Sequence, residues 1–131
     1  MRRRNVRPVL EKPIHWMGSS LDDLSRLPER PKRTIGYALR LAQRSEMHPD
    51  AEPMHGRLSH VIEIVAHDDS RRTFRAMYLV KLRGTVYVLH VFNKKASHGT
   101  KTPQQDLNVV ELRMKAAQRH YEEHHGKSKT N

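Results

Sequence analysis

The chain has 131 residues, a length that fits one domain with a single core. It carries 25 Lys and Arg against 14 Asp and Glu, a formal net charge of +11, which predicts a polyanionic partner: nucleic acid, an acidic protein or an anionic membrane surface. The absence of cysteine excludes a disulfide scaffold, thiolate metal sites and a cysteine nucleophile, and it favours a cytoplasmic protein.

Both ends of the sequence are expected to be tails around a single domain. Residues 1–12 are basic and almost without periodicity, which predicts a mobile N-terminal tail. The domain is expected over residues 13–122, and residues 123–131 are expected to be a frayed C-terminal tail. No apolar stretch approaches the roughly 20 residues of a membrane-spanning helix, and no signal-peptide core follows the basic start, so neither membrane insertion nor secretion is expected.

The first half of the domain predicts one strand and two helices. The apolar run "KPIHWM" is typical of a short strand. Serines followed by Asp22 and Asp23 mark the start of a short helix that Pro28 ends, and a second, antiparallel helix is expected from about Pro31. The apolar stripe of this second helix consists of Ile35, Ala38, Leu39 and Ala42. The segment "HPDAEPMHGRL" that follows is predicted to be a loop.

The second half begins with three segments rich in β-branched and aromatic residues: "HVIEIVA", "TFRAMYLVKL" and "TVYVLHVF". The breaks between these segments are short enough for hairpins, which predicts a three-stranded antiparallel meander. Alternation along the middle strand separates its residues into two faces. One face carries Phe74, Ala76, Tyr78 and Val80, and the other carries Arg75, Met77 and Leu79.

A final helix is predicted with Thr102 as its N-cap, Pro103 at its first position and an apolar stripe from Leu107 to Tyr121. The predicted fold class is therefore α+β. Its order is strand, helix, helix, three-stranded antiparallel meander and helix, and the helices are expected against one face of the sheet.

Cations collect where the last strand ends. Because Arg83 lies in the turn, residues near 75 are expected opposite residues near 92, which brings Arg75 close to Lys94 and Lys95. The loop that follows adds His98 and Lys101. The N-terminus of the final helix, which is the positive end of its dipole, is expected to point toward the same group of cations. For each lysine, the alternative interpretation is a solvated rim without a site.

Fixed cations without a carboxylate pair or metal-ligand set suit binding or cleavage of a phosphodiester. RNA can be cut without a metal when its own 2′-OH attacks the neighbouring phosphate, provided that the protein stabilises negative charge and assists proton transfer. The candidates for proton transfer are His90, His98, Tyr78 and Tyr87. His90 alternates with Val88 and Phe92, so we interpret it as a core or edge histidine rather than a base.

Other patterns are weaker. His120 and His124 have the i, i+4 spacing of a metal-binding pair, but no HExxH motif surrounds them and no third ligand is evident, so a helix end is the preferred interpretation. The sequence has no glycine-rich phosphate loop and no nucleophile elbow. No metal or other cofactor is expected.

The stretch "FRAMYLVKLRGTVYVLHVFNKKASHGTKTPQQDL" resembles the HigB-like, phage-related branch of the RelE/ParE toxin superfamily. The resemblance spans residues 13–122 and is most specific from "HVFNKK" to "KTPQQD". It implies the toxin of a type II toxin–antitoxin system, a ribosome-dependent, metal-independent mRNA endonuclease. The implied partners are mRNA on the ribosome and a cognate antitoxin, usually a helix-turn-helix protein.

The resemblance also implies roles for single residues. Arg75 resembles the strand arginine that contacts the scissile phosphate. Lys94 and Lys95 resemble the cations that follow the last strand, and Lys101 resembles the lysine before "TP".

The sequence departs from the RelE pattern at two places. The strand before the arginine lacks lysines, and Arg71 or Arg72 are the candidates to replace them, with His98 as a further RNA-binding candidate. The C-terminal tyrosine has no clear counterpart, so the general acid and base stay unassigned. A ParE-like inhibitor of DNA gyrase and a non-catalytic nucleic-acid-binding module are the open alternatives.

Overall fold

The computed structural model describes residues 11–81, 83–94 and 102–125; the side chain of Lys94 is outside this description. Residues 1–10 of the tail expected at 1–12, and residues 126–131 of the tail expected at 123–131, lie outside the described residues. The elements in chain order are β1 (Ile14–Trp16), α1 (Ser20–Ser25), α2 (Glu29–Gln43), β2 (Glu52–Pro53), β3 (Val61–His67), β4 (Thr73–Lys81), β5 (Thr85–Lys94) and α3 (Gln104–His125).

The strands form one mixed sheet in the order β1-β5-β4-β3-β2. The predicted antiparallel meander is confirmed as β3-β4-β5, and β1 joins its β5 edge in parallel. The expected loop before β3 was only partly right, because it contains the two-residue strand β2 and a short 3-10 turn, Gly56–Leu58. Gly84 takes a positive φ of 99° in the β4–β5 turn, a conformation that suits glycine.

Helices cover both faces of the sheet, so the expectation of helices on one face was wrong. The first core cluster joins Leu24 of α1 and Ile35 of α2 to β4 residues such as Tyr78. The second joins Val110 and Met114 of α3 to the opposite face of the sheet. The predicted alternation of β4 is confirmed, but residues 74–79 are all buried because each face is packed against a helix.

A β-bulge in β5 changes which side chains face α3. Met77 pairs with His90 while Tyr78 pairs with Val88, so Leu89 is the extra residue. Beyond the bulge, the His90 and Phe92 rings stack 4.6 Å apart. Simple alternation would put Val88 on the same face as His90, but Val88 packs in the α1/α2 core and Phe92 packs beneath α3.

The helix ends differ from the predicted ones by a few residues. α1 ends at Ser25, before Pro28, and Pro28 instead precedes α2, which begins at Glu29. α3 continues to His125, three residues into the segment expected to be a tail, because the imidazole N–H groups of His124 and His125 donate to carbonyls one turn earlier. No helix in the described ranges is long and apolar enough to cross a membrane.

Candidate functional site

Arg75 lies near the start of β4, on the face of the sheet that α3 covers. Its guanidinium Nη1 donates a hydrogen bond to Glu63 Oε2, within an ion pair whose side chains are only 10% and 18% exposed. Glu63 lies on β3 diagonally across from Arg75, since Glu63 pairs with Met77 and Arg75 pairs with Val65. Diagonal neighbours on one face lie about 7–8 Å apart, a distance that an arginine and a glutamate span together.

The start of α3 is attached to the sheet by two polar contacts. Arg75 Nη1 donates to the hydroxyl of Thr102 at 3.4 Å. One turn further along, Asp106 Oδ1 accepts a hydrogen bond of 2.8 Å from His90 Nε2. The carbonyl of Pro103 accepts the first helical bonds, from the N–H groups of Asp106 and Leu107. The first turn of α3 is therefore held over the strand ends, as its predicted position requires.

Four charged or titratable side chains thus form a row across β3, β4, β5 and α3, which we call the sheet row: Glu63, Arg75, His90 and Asp106. Phe92 pairs with Arg75 across β4 and β5, and its ring stacks on that of His90. A guanidinium fixed by Glu63 and Thr102 in this largely buried setting is oriented before an anion arrives, which favours electrostatic stabilisation of a phosphate.

His90 is placed to hold α3 rather than to exchange protons with a ligand. Its Nε2 donates a hydrogen bond to Asp106, and its Nδ1 is buried without a hydrogen-bond partner in the described part of the chain. The sequence-based interpretation of His90 as a core histidine agrees with this geometry. Asp106 was not singled out from the sequence, although an aspartate in the first helical turn is a recognisable signal.

The predicted register is confirmed for the strands that carry the candidate cations. Arg75 pairs with Phe92, and Lys94 pairs with Thr73, so Lys94 ends β5 at the strand end nearest to Arg75. The other predicted members of the cation group, Lys95, His98 and Lys101, lie outside the described residues.

Arg71 and Arg72 lie in the β3–β4 turn and do not join the sheet row. Arg72 Nε donates to Asp68 Oδ2 at 2.7 Å, and its guanidinium lies 5.6 Å from the centre of the Phe74 ring, on the α1/α2 side of the sheet. Arg71 lines an open groove of about 450 Å³ that also involves Arg30 of α2. The turn therefore places these arginines at the correct end of the sheet but directs them toward the face opposite Arg75.

Neither tyrosine candidate for proton transfer lies in the sheet row. Tyr78 is buried in the α1/α2 core, and burial raises its pKa to about 12. Burial also raises the pKa of Tyr87, whose hydroxyl shares a hydrogen bond of 2.9 Å with His120 Nδ1. Tyr78 faces away from Arg75 because of strand parity, and Tyr87 faces the same side as Arg75 but lies near the other end of β5.

A cluster of rings lies where the second half of α3 crosses β1 and β5. His120 stacks on His124 at 4.1 Å, and its ring lies 4.2 Å from that of His15 on β1. Across the described ranges, no group of three or more His, Asp or Glu side chains has the arrangement of a metal site. His15 was not predicted to join the His120 and His124 pair, because β1 reaches them only through its pairing with β5.

Burial is the main cause that holds the pKa of His120 below its ordinary value of 6.5, and the charges of His15 and His124 act in the same direction. The unfolded chain therefore takes up the proton at a higher pH than the folded chain. His120 should contribute stability that is present above pH 6.5 and is lost as the pH falls below it. We expect the melting temperature of His120→Gln to fall less than that of the wild type between pH 7.5 and pH 5.

The measurement is a series of thermal melts followed by circular dichroism, with His60→Gln as the matched control at an exposed position. The control should keep the acid-induced fall of the wild type. A His120→Gln curve parallel to the wild-type curve would contradict the assignment.

The family described as "Phage derived protein Gp49-like (DUF891)" matches residues 22–120, about three quarters of the chain and every element from α1 to most of α3. The chain belongs to this Gp49-like family. The Gp49-like family is a RelE/HigB-like toxin family, so the resemblance recognised from "HVFNKK" to "KTPQQD" is confirmed.

Among solved structures, this Gp49-like protein is similar to a chain of the toxin–antitoxin complex RelBE2 from Mycobacterium tuberculosis. The sequence identity is 21% and the TM-score is 0.43, over 63% of this chain and 98% of that chain. No curated protein sequence matches the chain significantly.

Proposed function

We propose that this Gp49-like protein is the toxin of a type II toxin–antitoxin system and that it arrests translation by cutting mRNA on the ribosome, without a metal ion. The observation that carries the proposal is Arg75, a largely buried guanidinium oriented by Glu63 and Thr102 beside the end of β5. Membership of a RelE/HigB-like toxin family and a net charge of +11 support a negatively charged RNA substrate.

In the proposed reaction, the ribose 2′-OH attacks the adjacent phosphorus. A new bond forms between O2′ and phosphorus while the bond from phosphorus to O5′ breaks, leaving a 2′,3′-cyclic phosphate and a 5′-hydroxyl. The proton lost from O2′ is balanced by the proton gained by O5′. Arg75 would stabilise the additional negative charge on the phosphate oxygens, where a pre-oriented donor is most effective.

The other cations are proposed to hold the RNA strand. Lys94, which ends β5 across from Thr73, and Lys95 are proposed to act beside Arg75 at the reacting phosphate. Lys101 and His98 are proposed to contact neighbouring phosphates from the segment between β5 and α3. Arg71 and Arg72 lie in the β3–β4 turn and are directed toward the face opposite Arg75, so they are proposed to contact the RNA further along its strand.

The proposed partners are a cognate antitoxin, expected to be a helix-turn-helix protein, and the ribosome carrying mRNA. A cytoplasmic site of action follows from these partners. An antitoxin that covers the strand end around Arg75 would block access of RNA to the site.

Induced expression in bacterial cells, followed by mapping of mRNA 5′ ends, tests the proposal. Growth should stop within one generation, and new 5′ ends should appear at codon-dependent positions within translated reading frames. Intact transcripts accompanied by an early DNA-damage response would replace the proposal with gyrase inhibition. Normal growth with intact transcripts would indicate a binding module without toxicity.

A further inference from the structure

α2 presents a regular line of arginines to solvent. We call it the α2 stripe: Arg30, Arg33, Tyr37, Arg40 and the C-cap residue Arg44. Successive members are three or four positions apart, so they fall on one side of the helix and extend over about 21 Å. The side chains of Arg30, Arg33 and Arg40 are between 58% and 68% exposed.

The present partners of these arginines are surface carboxylates. Arg30 lies 2.8 Å from Asp69, Arg33 lies 3.4 Å from Glu29, and Arg40 and Arg44 share Glu11 at 3.4 and 3.8 Å. Four guanidinium groups therefore face three carboxylates. Exposed ion pairs of this kind are weak and screened by salt, so a ligand with several phosphates can displace them readily.

Tyr37 lies in the middle of the α2 stripe with 56% of its surface exposed. His48 contacts the tyrosine ring edge-on, with 5.7 Å between ring centres and an interplanar angle of 79°. The ring is thus supported from one side while it stays open to solvent. An exposed aromatic ring between arginines can stack on a base or a ribose.

The composition of the α2 stripe favours nucleic acid over an acidic protein. All of its cations are arginines, whose planar guanidinium groups form paired hydrogen bonds to phosphate oxygens. Protein interfaces usually need an apolar centre, and Tyr37 is the one large apolar side chain among the exposed residues of this fully described helix.

The α2 stripe is separate from the sheet row but begins at the same end of the sheet. The apolar residues of α2 pack on the sheet face opposite α3, so the arginines of the α2 stripe point away from Arg75. At the same time, the Arg30–Asp69 ion pair ties the first turn of α2 to the β3–β4 turn, next to the start of β4. An RNA helix lying along α2 would reach the strand end that the proposed mRNA strand occupies.

We infer that the α2 stripe is a docking surface for folded RNA, which it binds through the phosphate backbone. The inference deepens the proposed function, on which it rests for the choice of RNA as the polyanion. The docked RNA is a double-helical segment distinct from the strand that is cut, and α2 holds it by shape and charge rather than by sequence.

The test measures binding of the full chain to an RNA hairpin of about 20 base pairs with 2′-O-methyl riboses, which cannot be cut through the 2′-OH. Arg33→Gln/Arg40→Gln should weaken binding by about tenfold near 0.15 M salt and reduce the salt-dependence slope by about 1.5, because two phosphate contacts are lost. The matched control, Lys115→Gln/Arg119→Gln, removes two cations from α3 and should change the affinity less than about threefold.

Two further variants separate charge, stacking and folding. Arg33→Lys/Arg40→Lys should keep most of the affinity, whereas Tyr37→Ala should lose about fivefold, since stacking on aromatic rings contributes to RNA binding. Melting curves establish that each variant is folded. Equal affinities for the α2 and α3 glutamine variants would overturn the inference.

Polyglutamate is the competing probe for an acidic protein. The inference would also be overturned if the wild type bound polyglutamate more tightly than the hairpin and if Arg33→Gln/Arg40→Gln lost the binding of polyglutamate. Because the hairpin cannot be cut, a protein that binds it through α2 but cleaves no mRNA would contradict only the proposed function. If the wild type cleaves mRNA and Arg33→Gln/Arg40→Gln binds the hairpin as tightly as the wild type, only the inference is contradicted.

Discussion

Arg75→Ala is expected to abolish growth inhibition and to lower mRNA cleavage by at least about a hundredfold, because loss of one pre-oriented donor to a developing negative charge typically costs this much. The measurement compares the frequency of new mRNA 5′ ends after induction of equal amounts of the wild type and the variant. Arg75→Lys should recover part of the activity, since it restores the charge without the planar guanidinium.

The alanine variant leaves Glu63 largely buried without the ion-pair partner that it has in the wild type, so misfolding could imitate a loss of activity. Arg75→Met/Glu63→Gln removes both charges at similar volume and is the appropriate control. It should fold cooperatively and stay inactive. A folded double variant that still produces the wild-type cleavage pattern would remove Arg75 from the proposed mechanism.

Glu63→Ala is expected to lower the free energy of unfolding by about 3–5 kcal/mol, the usual effect of removing one partner from a buried ion pair. The guanidinium of Arg75 would keep the 3.4 Å contact with Thr102 but lose its carboxylate. Urea denaturation followed by circular dichroism measures the change.

Adding Arg75→Met to Glu63→Ala should recover most of this stability, because neither charge of the buried ion pair then remains under α3. The matched surface pair is Arg33 and Glu29. Glu29→Ala should lower the free energy of unfolding by less than about 1 kcal/mol. If Glu63→Ala costs as little as Glu29→Ala, then the pair with Arg75 does not behave as a buried one.

Local sequence patterns predicted the meander accurately. The alternation in "TFRAMYLVKL" assigned Phe74 and Tyr78 to one face and Met77 and Leu79 to the other, as the two core clusters confirm. The predicted pairing of residues near 75 with residues near 92 is also confirmed. These predictions succeeded because strand periodicity and hairpin turns depend on residues that are close in the sequence.

The second helical layer was missed although a signal for it existed. Both faces of β4 are apolar, which indicates a strand covered on each side. The β5 bulge at Leu89 has no comparable local signal, and it alone moves His90 and Phe92 onto the face that α3 covers. The contact between Asp106 and His90 depends both on the α3 layer and on the bulge in β5.

For the candidate site, the sequence identified Arg75 but not the residue that orients it. Glu63 is a single carboxylate within "HVIEIVA", and such a residue in an apolar strand indicates a buried partner. Its diagonal pairing across β3 and β4 selects Arg75 as that partner. Lys95, His98 and Lys101 stay predictions, because they lie outside the described residues.

By itself, the sequence determined the meander, the two faces of β4 and the approximate helices, since each of these follows from short-range periodicity and turn chemistry. Only the tertiary structure decided that α3 covers the Arg75 face, that Glu63 and Thr102 hold the guanidinium, and that the arginines of α2 point to the opposite side. The physical reason is that a largely buried charge is stabilised by whichever partner the fold brings close, and these partners come from segments far apart in the chain.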